Sequence, residues 1–427
     1  MIRRPPRSTL SSSSAASDVY KRQVFAIIDL DEDKEIIFGD DLSIDDIIWM
    51  GPQPKLIEKA DQVGINNVLP LSELENYLSN SIKKAQKVHY LPTYRAEQSV
   101  KISSWLNMDL KQVKKNASLD LIKTVINQRS VKSDEEVVEI ENAHSVTYVM
   151  HTTAMKMAKP GVIEREIAGT IEGIALAKGA SVSFPVILSV NGEILHNHHH
   201  ENRMQQGDLL INDSGAESAF HYAADITRTI PVSSKFSEQQ KSIYNIVLNS
   251  QLAAIKAIKP GIKYLDIHKQ AAKIIAGGLK EIGLMKGDIA EAIEQGAHAL
   301  FFPHGLGHML GLDVHDMENL GEDFVGYDEN IQRSKQFGLA YLRLAKELKE
   351  GYVLTVEPGI YFIPQLIDQW KSGNKFSSFI NYDTIEKFRD FGGIRIEDDV
   401  LVTANGQRVI GKTIPKTIED VEAMCQL

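Results

Sequence analysis

From Val24 onward the chain switches between two hydrophobic periods. Short apolar runs in VFAIIDLD (24–31) and KEIIFGD (34–40), on either side of an Asp-rich turn, predict a strand pair. Leu42 to Trp49 and Leu71 to Ala85 carry the wider helical spacing, and Lys87–Leu91 reads as a further strand. Strands alternating with helices predict an α/β unit that ends near Arg129. At Ser133 the pattern restarts, with Glu136 three positions on, the spacing of a capping box ahead of a long helix. Farther along, Leu209-Leu210-Ile211 and Ile226 to Val232 are extended apolar runs. The segment Ser214 to Ser218 between them is small and polar enough to turn the chain into a hairpin.

The second part of the chain repeats itself. AMKMAKPGVIEREIAGTIEGIALAKGA begins at Ala154, and AIKAIKPGIKYLDIHKQAAKIIAGGLKEIG begins at Ala254. The Lys-Pro-Gly turns at 159–161 and 259–261 therefore lie a hundred residues apart, each between an Ala-rich helix and an amphipathic one. Such a repeat predicts two similar α/β halves about a pseudo-twofold axis. The competing account, that Pro-Gly simply stops helices, stays open at this stage. Residues 1–23 show neither period. They are Ser-rich, lack the apolar centre of a secretory signal, resemble vector-derived sequence, and are expected to be a non-native or disordered leader.

Composition narrows the function. A chain of 427 residues, 43% hydrophobic, can core two or three domains. A net charge of −10 without any Lys/Arg cluster argues against nucleic acid as a partner. The single cysteine, Cys425, excludes a disulfide framework and thiolate zinc sites and suits a reducing compartment. No apolar run has the length of a bilayer span, so no membrane partner is expected. Any metal here is held by oxygen and imidazole.

Asp213 and Asp225 stand at the ends of the hairpin strands, and two buried like charges need a cation between them or a shared proton. Further acids and histidines occur in ILHNHHH (194–200), FFPHGLGHMLGLDVHD (301–316), VLTVEPGIYF (353–362) and GGIRIEDDVLV (392–402). Gly305 and Gly307 make the His304–His308 stretch a loop rather than a helix, and His315 is expected on a short strand, LDVHD. Glu357 falls in an extended run facing a cavity, and Arg395 and Glu397 share one strand face. Each has a plainer reading. A histidine beside glycines is usually a hydrogen-bonding group, and ILHNHHH is readable as an exposed loop. Asp398 and Asp399 read as solvent-facing, Asp213 as a turn residue, and Asp40, Asp41, Asp45 and Asp46 as a solvated loop and helix start. The sum favours chemistry: two Asp, two Glu and a His make an oxygen-rich site suited to manganese, cobalt or zinc in a two-ion arrangement.

The set Asp213, Asp225, HGLGH, TVEPGIY and GIRIEDD resembles the dinuclear "pita-bread" metallopeptidases, the superfamily of methionine aminopeptidase, aminopeptidase P and prolidase. The resemblance runs from about Ser133 to the C-terminus, and YAADITRT with HGLGH…GLDVHD is most similar to the proline-specific branch. It implies an α/β (α+β) fold: a pita-bread catalytic domain over 130–427, preceded over 24–129 by a smaller, truncated creatinase-like α/β domain. Carried over residue by residue, it places metal ligands on Asp213, Asp225, His308, Glu357 and Glu397. It places catalytic groups on His196, His304, His315, Glu357 (also the proton shuttle) and Arg395. The implied reaction is metal-dependent hydrolysis of the bond between an N-terminal residue and a following proline by a metal-bridging hydroxide. The implied cofactors are two divalent ions, manganese first, with cobalt or zinc as alternatives. A cytoplasmic homodimer or homotetramer acting on proline-containing peptides is the expected setting. Prolidase, restricted to dipeptides, is the alternative, and a metal-free or binding-only member of the fold the more distant one. The insertion Phe362–Phe391 resembles prolidases more than compact aminopeptidases P, and the loop between the aspartates is one residue longer than expected for either.

Overall fold

The computed structural model describes residues 24–178 and 181–426, so the leader expected over 1–23 lies outside the described residues. The chain divides into two compact units, with the division at Leu121/Ile122.

In the first unit, strands β1 (Phe25–Asp29) and β2 (Lys34–Phe38) pair antiparallel around the Asp-rich turn, as the two apolar runs predict. A short strand, β3 (Asn67–Leu69), adds parallel to β2. Helices α1 (Ile44–Met50), α2 (Leu56–Gln62), α3 (Glu73–Lys83), α4 (Ala96–Trp105) and α5 (Leu110–Val113) surround this sheet. Its two faces have separate cores: Ile36, Phe38 and Leu74 on one, Ile37, Leu56 and Ala60 on the other. Burial on both faces explains why KEIIF reads as a run rather than a clean alternation.

One expectation for this unit needs correction. Lys87–Leu91 is extended but pairs with no strand. Instead Tyr90 accepts from Ser118 N through its carbonyl, 2.9 Å, and donates its hydroxyl to Val113 O, 2.9 Å, so the end of α5 and the loop after it take its hydrogen bonds. The acidic stretch is the solvated loop and helix start expected of it, with Asp40, Asp41 and Asp45 exposed. Ser43 and Asp46 cap α1 reciprocally, while Asp41 accepts from Leu56 N and Asp40 from Leu71 N, fixing where α2 and α3 begin.

The division falls within α6 (Leu119–Ser130), and the second unit continues into α7 (Asp134–Met157), which is capped as read from the sequence. Ser133 N donates to Glu136 Oε2 at 2.8 Å, and Glu136 N donates to Ser133 Oγ. Next come α8 (Glu164–Lys178), strands β4 (Ile187–Ser189), β5 (Leu209–Ser214) and β6 (Ile226–Pro231), and helices α9 (Glu238–Ala257), α10 (Tyr264–Glu281), α11 (Ile289–Gln295) and α12 (Glu322–Gly326). Strands β7 (Val353–Val356) and β8 (Gly359–Tyr361), helices α13 (Pro364–Ser372) and α14 (Tyr382–Ile385), strands β9 (Gly393–Arg395), β10 (Asp398–Thr403) and β11 (Gly406–Val409), and α15 (Ile418–Cys425) complete it.

The repeat is structural. Both Lys-Pro-Gly turns join a helix pair, α7/α8 and α9/α10, and their glycines take φ of +91° at Gly161 and +87° at Gly261, where a side chain is strained. Each half brings a three-stranded sheet, β4-β5-β6 and β11-β10-β7, whose pairings are all antiparallel. Matching turns, helices and sheets identify a duplicated unit; a chance pair of helix stops needs no such agreement. The insertion after β8 folds into α13 and α14 with an aromatic cluster in which Phe362 stacks on Phe388 at 5.1 Å.

Candidate metal centre

The duplicated sheets deliver the acids to one place. β5 and β6 pair so that Asp213 faces Thr227, which sets Asp225, two residues earlier, beside the Asp213 carboxylate. From the other half, Glu357 follows the last residue of β7, and Glu397 precedes β10, which pairs with β7. The expectation of one strand carrying Arg395 and Glu397 is corrected: β9 ends at Arg395 and β10 starts at Asp398, leaving Glu397 in the break. That break lets Glu397 N bond to Thr227 O across to the first half.

Glycine explains how the fourth segment fits. A Cβ on Gly307 would lie 2.1 Å from Thr355 O, and one on Gly305 would lie 2.8 Å from the Leu342 Cα, so this loop packs against backbone that any side chain would push away. His308 accepts from Thr355 N through its carbonyl and donates its own N–H to Thr355 Oγ1, and its Nδ1 donates to its neighbour's carbonyl, Met309 O, at 3.2 Å. That fixes the tautomer, leaving the Nε2 lone pair 3.4 Å from Asp225 Oδ2 and 3.7 Å from Glu357 Oε1. LDVHD is a succession of bends rather than a strand. Asp316 is held in the interior by Lys132 at 2.9 Å and Arg129 at 2.6 Å, which curls the segment and presses the His315 ring against His308, centroids 4.2 Å apart.

All the residues singled out in the sequence line one cavity of about 950 Å³: His196, Asp213, Asp225, His304, His308, His315, Glu357, Arg395 and Glu397. Candidate ligand atoms of Asp225, His308 and Glu397 lie within 4.8 Å of one another. Asp213 and Glu357 flank this trio. Arg395 Nη2 holds Asp213 Oδ2 at 2.6 Å, and His304 Nδ1 lies 3.9 Å from Glu357 Oε2.

The electrostatics show what is missing around these acids. Burial raises the Asp225 carboxyl well above its usual range, with the Asp213 charge adding to it. Burial likewise lifts Glu397, with Asp225 and Glu357 adding to it, and pushes Glu357 up to about 7 despite His308 and Arg395. Asp213 Oδ1 and Asp225 Oδ1 are buried without a hydrogen-bond partner. Orphaned carboxylate oxygens beside an available imidazole lone pair are the arrangement a divalent cation satisfies, so the donor set fits the metal its composition suggests.

Groups that sequence reasoning left without a role hold this set in place. Thr227 donates its hydroxyl to Glu397 Oε2 at 2.7 Å and accepts from Arg395 Nε at 3.0 Å. Arg228, fully buried, spans Pro415 O, Thr227 O, Glu397 O, Ile414 O and the Asp398 carboxylate. Asp398 and Asp399, expected at the surface, are buried in β10. Although burial pushes Asp398 up, Arg228 and Lys416 hold it well below the ordinary aspartate value. Asp399 accepts from Asp225 N at 3.0 Å. The only sequence signal for this was the polar side chains within the apolar strand ITRTIP. Tyr361, inside the TVEPGIY motif, accepts from Arg395 Nη1 and donates to His304 Nε2, both at 2.9 Å. Because His304 Nδ1 donates to Gly305 O at 2.8 Å, both its ring nitrogens are satisfied within the protein, and burial keeps the ring neutral with a pKa lowered to about 3.

Residues 138–404 match the family described as Metallopeptidase family M24, and residues 19–90 match the aminopeptidase P N-terminal domain. The chain is 32% identical to the human Xaa-Pro dipeptidase, covering 93% of this chain and 80% of that protein. It is also 32% identical to the Xaa-Pro aminopeptidase of Escherichia coli K12, covering 88% and 79%. Among solved structures, a variant of Escherichia coli aminopeptidase P in complex with substrate superposes with a TM-score of 0.75 at 31% identity, covering 92% of this chain and 82% of that one.

Proposed function

The chain belongs to metallopeptidase family M24, with the pita-bread fold of its aminopeptidase P neighbours, and from that premise we propose that it is an Xaa-Pro aminopeptidase, removing an N-terminal residue that precedes proline. The observation that carries this reading is the convergence of Asp213, Asp225, His308, Glu357 and Glu397 from both halves on the wall of one large cavity. We assign these five as ligands of two divalent ions, manganese foremost, and 130–427 as the catalytic domain behind the N-terminal unit of 24–129. Bound there, the ions supply Lewis acidity, polarising the scissile carbonyl and making water nucleophilic near neutral pH.

The remaining steps belong to the chain. Glu357, partly open to the cavity, is positioned to take the proton of the attacking water and return it toward the leaving nitrogen, which in an Xaa-Pro bond has no hydrogen of its own. His196 and His315 face the cavity as donors for the developing oxyanion. His304, with both nitrogens engaged, acts as a wall beside the prolyl ring and holds its place through Tyr361 and Arg395. Arg395 in turn fixes Asp213, so the arginine sets ligand geometry while remaining charged.

The cavity walls include the exposed aromatics Phe324 and Tyr341, which leaves room for residues beyond proline and favours aminopeptidase over dipeptidase action. The dipeptidase reading draws on the human relative and on the insertion Phe362–Phe391. Assaying an Xaa-Pro dipeptide against the same dipeptide extended by several residues, both with manganese, separates them: the aminopeptidase reading predicts efficient cleavage of the longer peptide, and cleavage of the dipeptide alone overturns it. Among the described residues no helix is long and apolar enough to cross a membrane. We read the protein as cytoplasmic and as a homodimer or homotetramer, which light scattering of the purified protein tests.

A further inference from the structure

A second cavity, of about 350 Å³, opens in the same unit between α10, α11 and the turn that follows them. His268 of α10 and His298 of the turn Ala297–Leu300 line it, and both side chains are about 99% enclosed, at 1% residual exposure each. None of their four ring nitrogens, Nδ1 and Nε2 of His268 and of His298, has a hydrogen-bond partner. Buried polar groups are almost always satisfied, and two imidazoles left wholly unsatisfied in one cavity call for an occupant. The rim carries Glu294 at the end of α11 and Lys269 beside His268, whose opposite charges offset each other, with Gln336 and Leu339 opposite.

We propose that this cavity is a separate metal site, distinct from the acidic centre, that takes a single borderline transition-metal cation, zinc foremost, on His268 and His298 with Glu294 as the closing carboxylate. Two imidazoles and one carboxylate, with room left for water, form a donor set that suits zinc, copper or nickel and suits manganese or magnesium poorly. Burial lowers His268 to about 3 and His298 to about 4, so at neutral pH both are unprotonated and each keeps a lone pair for coordination. Glu294 does not already sit within ligating distance of both rings: among the described residues the tight donor cluster is Asp225, His308 and Glu397. It is exposed at the helix end, and its carboxylate is proposed to turn toward the two rings when the cation binds.

The position gives the site a consequence. Phe302 lies between the two cavities, its ring 5.3 Å from His268 and 4.9 Å from His304. The stretch 336–341 is a shared wall: Gln336 and Leu339 face the second cavity, while Phe337, Ala340 and Tyr341 face the first. A cation bound here therefore bears on the back of the substrate pocket without touching the acidic ligands.

Metal counting tests this independently of the peptidase assignment. The doubly substituted Asp225→Asn, His308→Ala protein, dialysed against zinc, is expected to retain about one zinc ion per chain, and adding His268→Gln and His298→Gln is expected to abolish that retention. Zinc-soaked crystals of the unsubstituted protein provide the second measurement and avoid any variant that fails to fold. An anomalous difference peak between His268 and His298 supports the proposal. A zinc count that the His268 and His298 substitutions leave unchanged, or a cavity holding only water, overturns it, whatever peptides the enzyme cleaves.

Discussion

Replacing Thr227 with Val tests whether the shell behind the ligands sets the metal affinity. The exchange keeps shape and volume in a fully buried strand position and removes only the hydroxyl. Two bonds go with it: the donation to Glu397 Oε2 at 2.7 Å and the acceptance from Arg395 Nε at 3.0 Å. A hydrogen bond to a charged group contributes about 1.5–3 kcal/mol, and a buried donor left unsatisfied costs about 1–3 kcal/mol. Part of that loss falls on the fold and part on the orientation of Glu397, whose carboxylate then pivots freely at the metal. Removing a partner that orients a ligand weakens metal binding roughly 10–100-fold. The Thr227→Val protein should therefore need correspondingly more manganese for half-maximal activity, while kcat at saturating manganese and KM for peptide stay near wild type. Thr227→Ser, which restores the hydroxyl, should recover the wild-type affinity. Calorimetric titration of the chelator-treated protein reads the effect directly. A Thr227→Val isotherm that superimposes on the wild-type curve would refute the reasoning, because Glu397 would then hold its position without the hydroxyl.

Other consequences follow from the same geometry. His308→Ala removes the one imidazole of the acidic set and should abolish binding at one ion and nearly all hydrolysis; a full metal complement with full activity contradicts the assignment. Glu357→Gln keeps the shape but loses the proton acceptor, and kcat should fall by about 10²–10⁴-fold, beyond what its metal content explains. Arg228→Met strips a buried guanidinium from Asp398 and several carbonyls, and denaturant melts should show a loss of about 3–5 kcal/mol. In the metal-free protein Glu357 should contribute a loss of stability as pH rises. Glu357 shifts from its ordinary 4.5 to about 7 on folding, so the folded state holds a proton that the unfolded state releases. That contribution is present below about 4.5 and disappears as pH climbs through about 7. Comparing chelated wild type with Glu357→Gln isolates this group, because Asp398 titrates below the window and the buried neutral histidines act alike in both proteins: between pH 5.5 and pH 7.5 the wild type should lose more melting temperature, or gain less, than the variant, and identical pH profiles would refute the assignment.

The parts of this molecule legible in the sequence are those governed by local rules. The capping box of Ser133 and Glu136, the Lys-Pro-Gly turns and the strand pair around the Asp-rich turn each rest on a few adjacent residues, and each is present in the fold. The residues lining the main cavity are legible as well, because acids and histidines stand out against apolar strands and glycines, while the roles proposed for them come from the family resemblance. What escaped notice depends on distant partners. Asp398 looks like a surface residue until Arg228 and Lys416 arrive from elsewhere in the chain. Lys87–Leu91 has the pattern of a strand, and only the three-dimensional arrangement shows that a helix end and a loop, not a neighbouring strand, satisfy it. The bends of LDVHD come from Asp316 being drawn inward by Arg129 and Lys132, a pull that hydrophobic periodicity does not register. The unsatisfied pair His268 and His298 sits thirty positions apart and carries no motif at all.

The central claim, that the acids of both halves hold a divalent pair which cleaves before proline, meets its most direct test in one titration. Protein stripped with chelator is returned to manganese in steps, and release of the N-terminal residue from an extended Xaa-Pro peptide is followed alongside bound metal. The account predicts no hydrolysis in the stripped protein and recovery that tracks the filling of the acidic centre, whereas His308→Ala should bind one ion fewer and recover almost no hydrolysis. Hydrolysis that persists without metal, or a filled centre that leaves the Xaa-Pro bond intact, contradicts it.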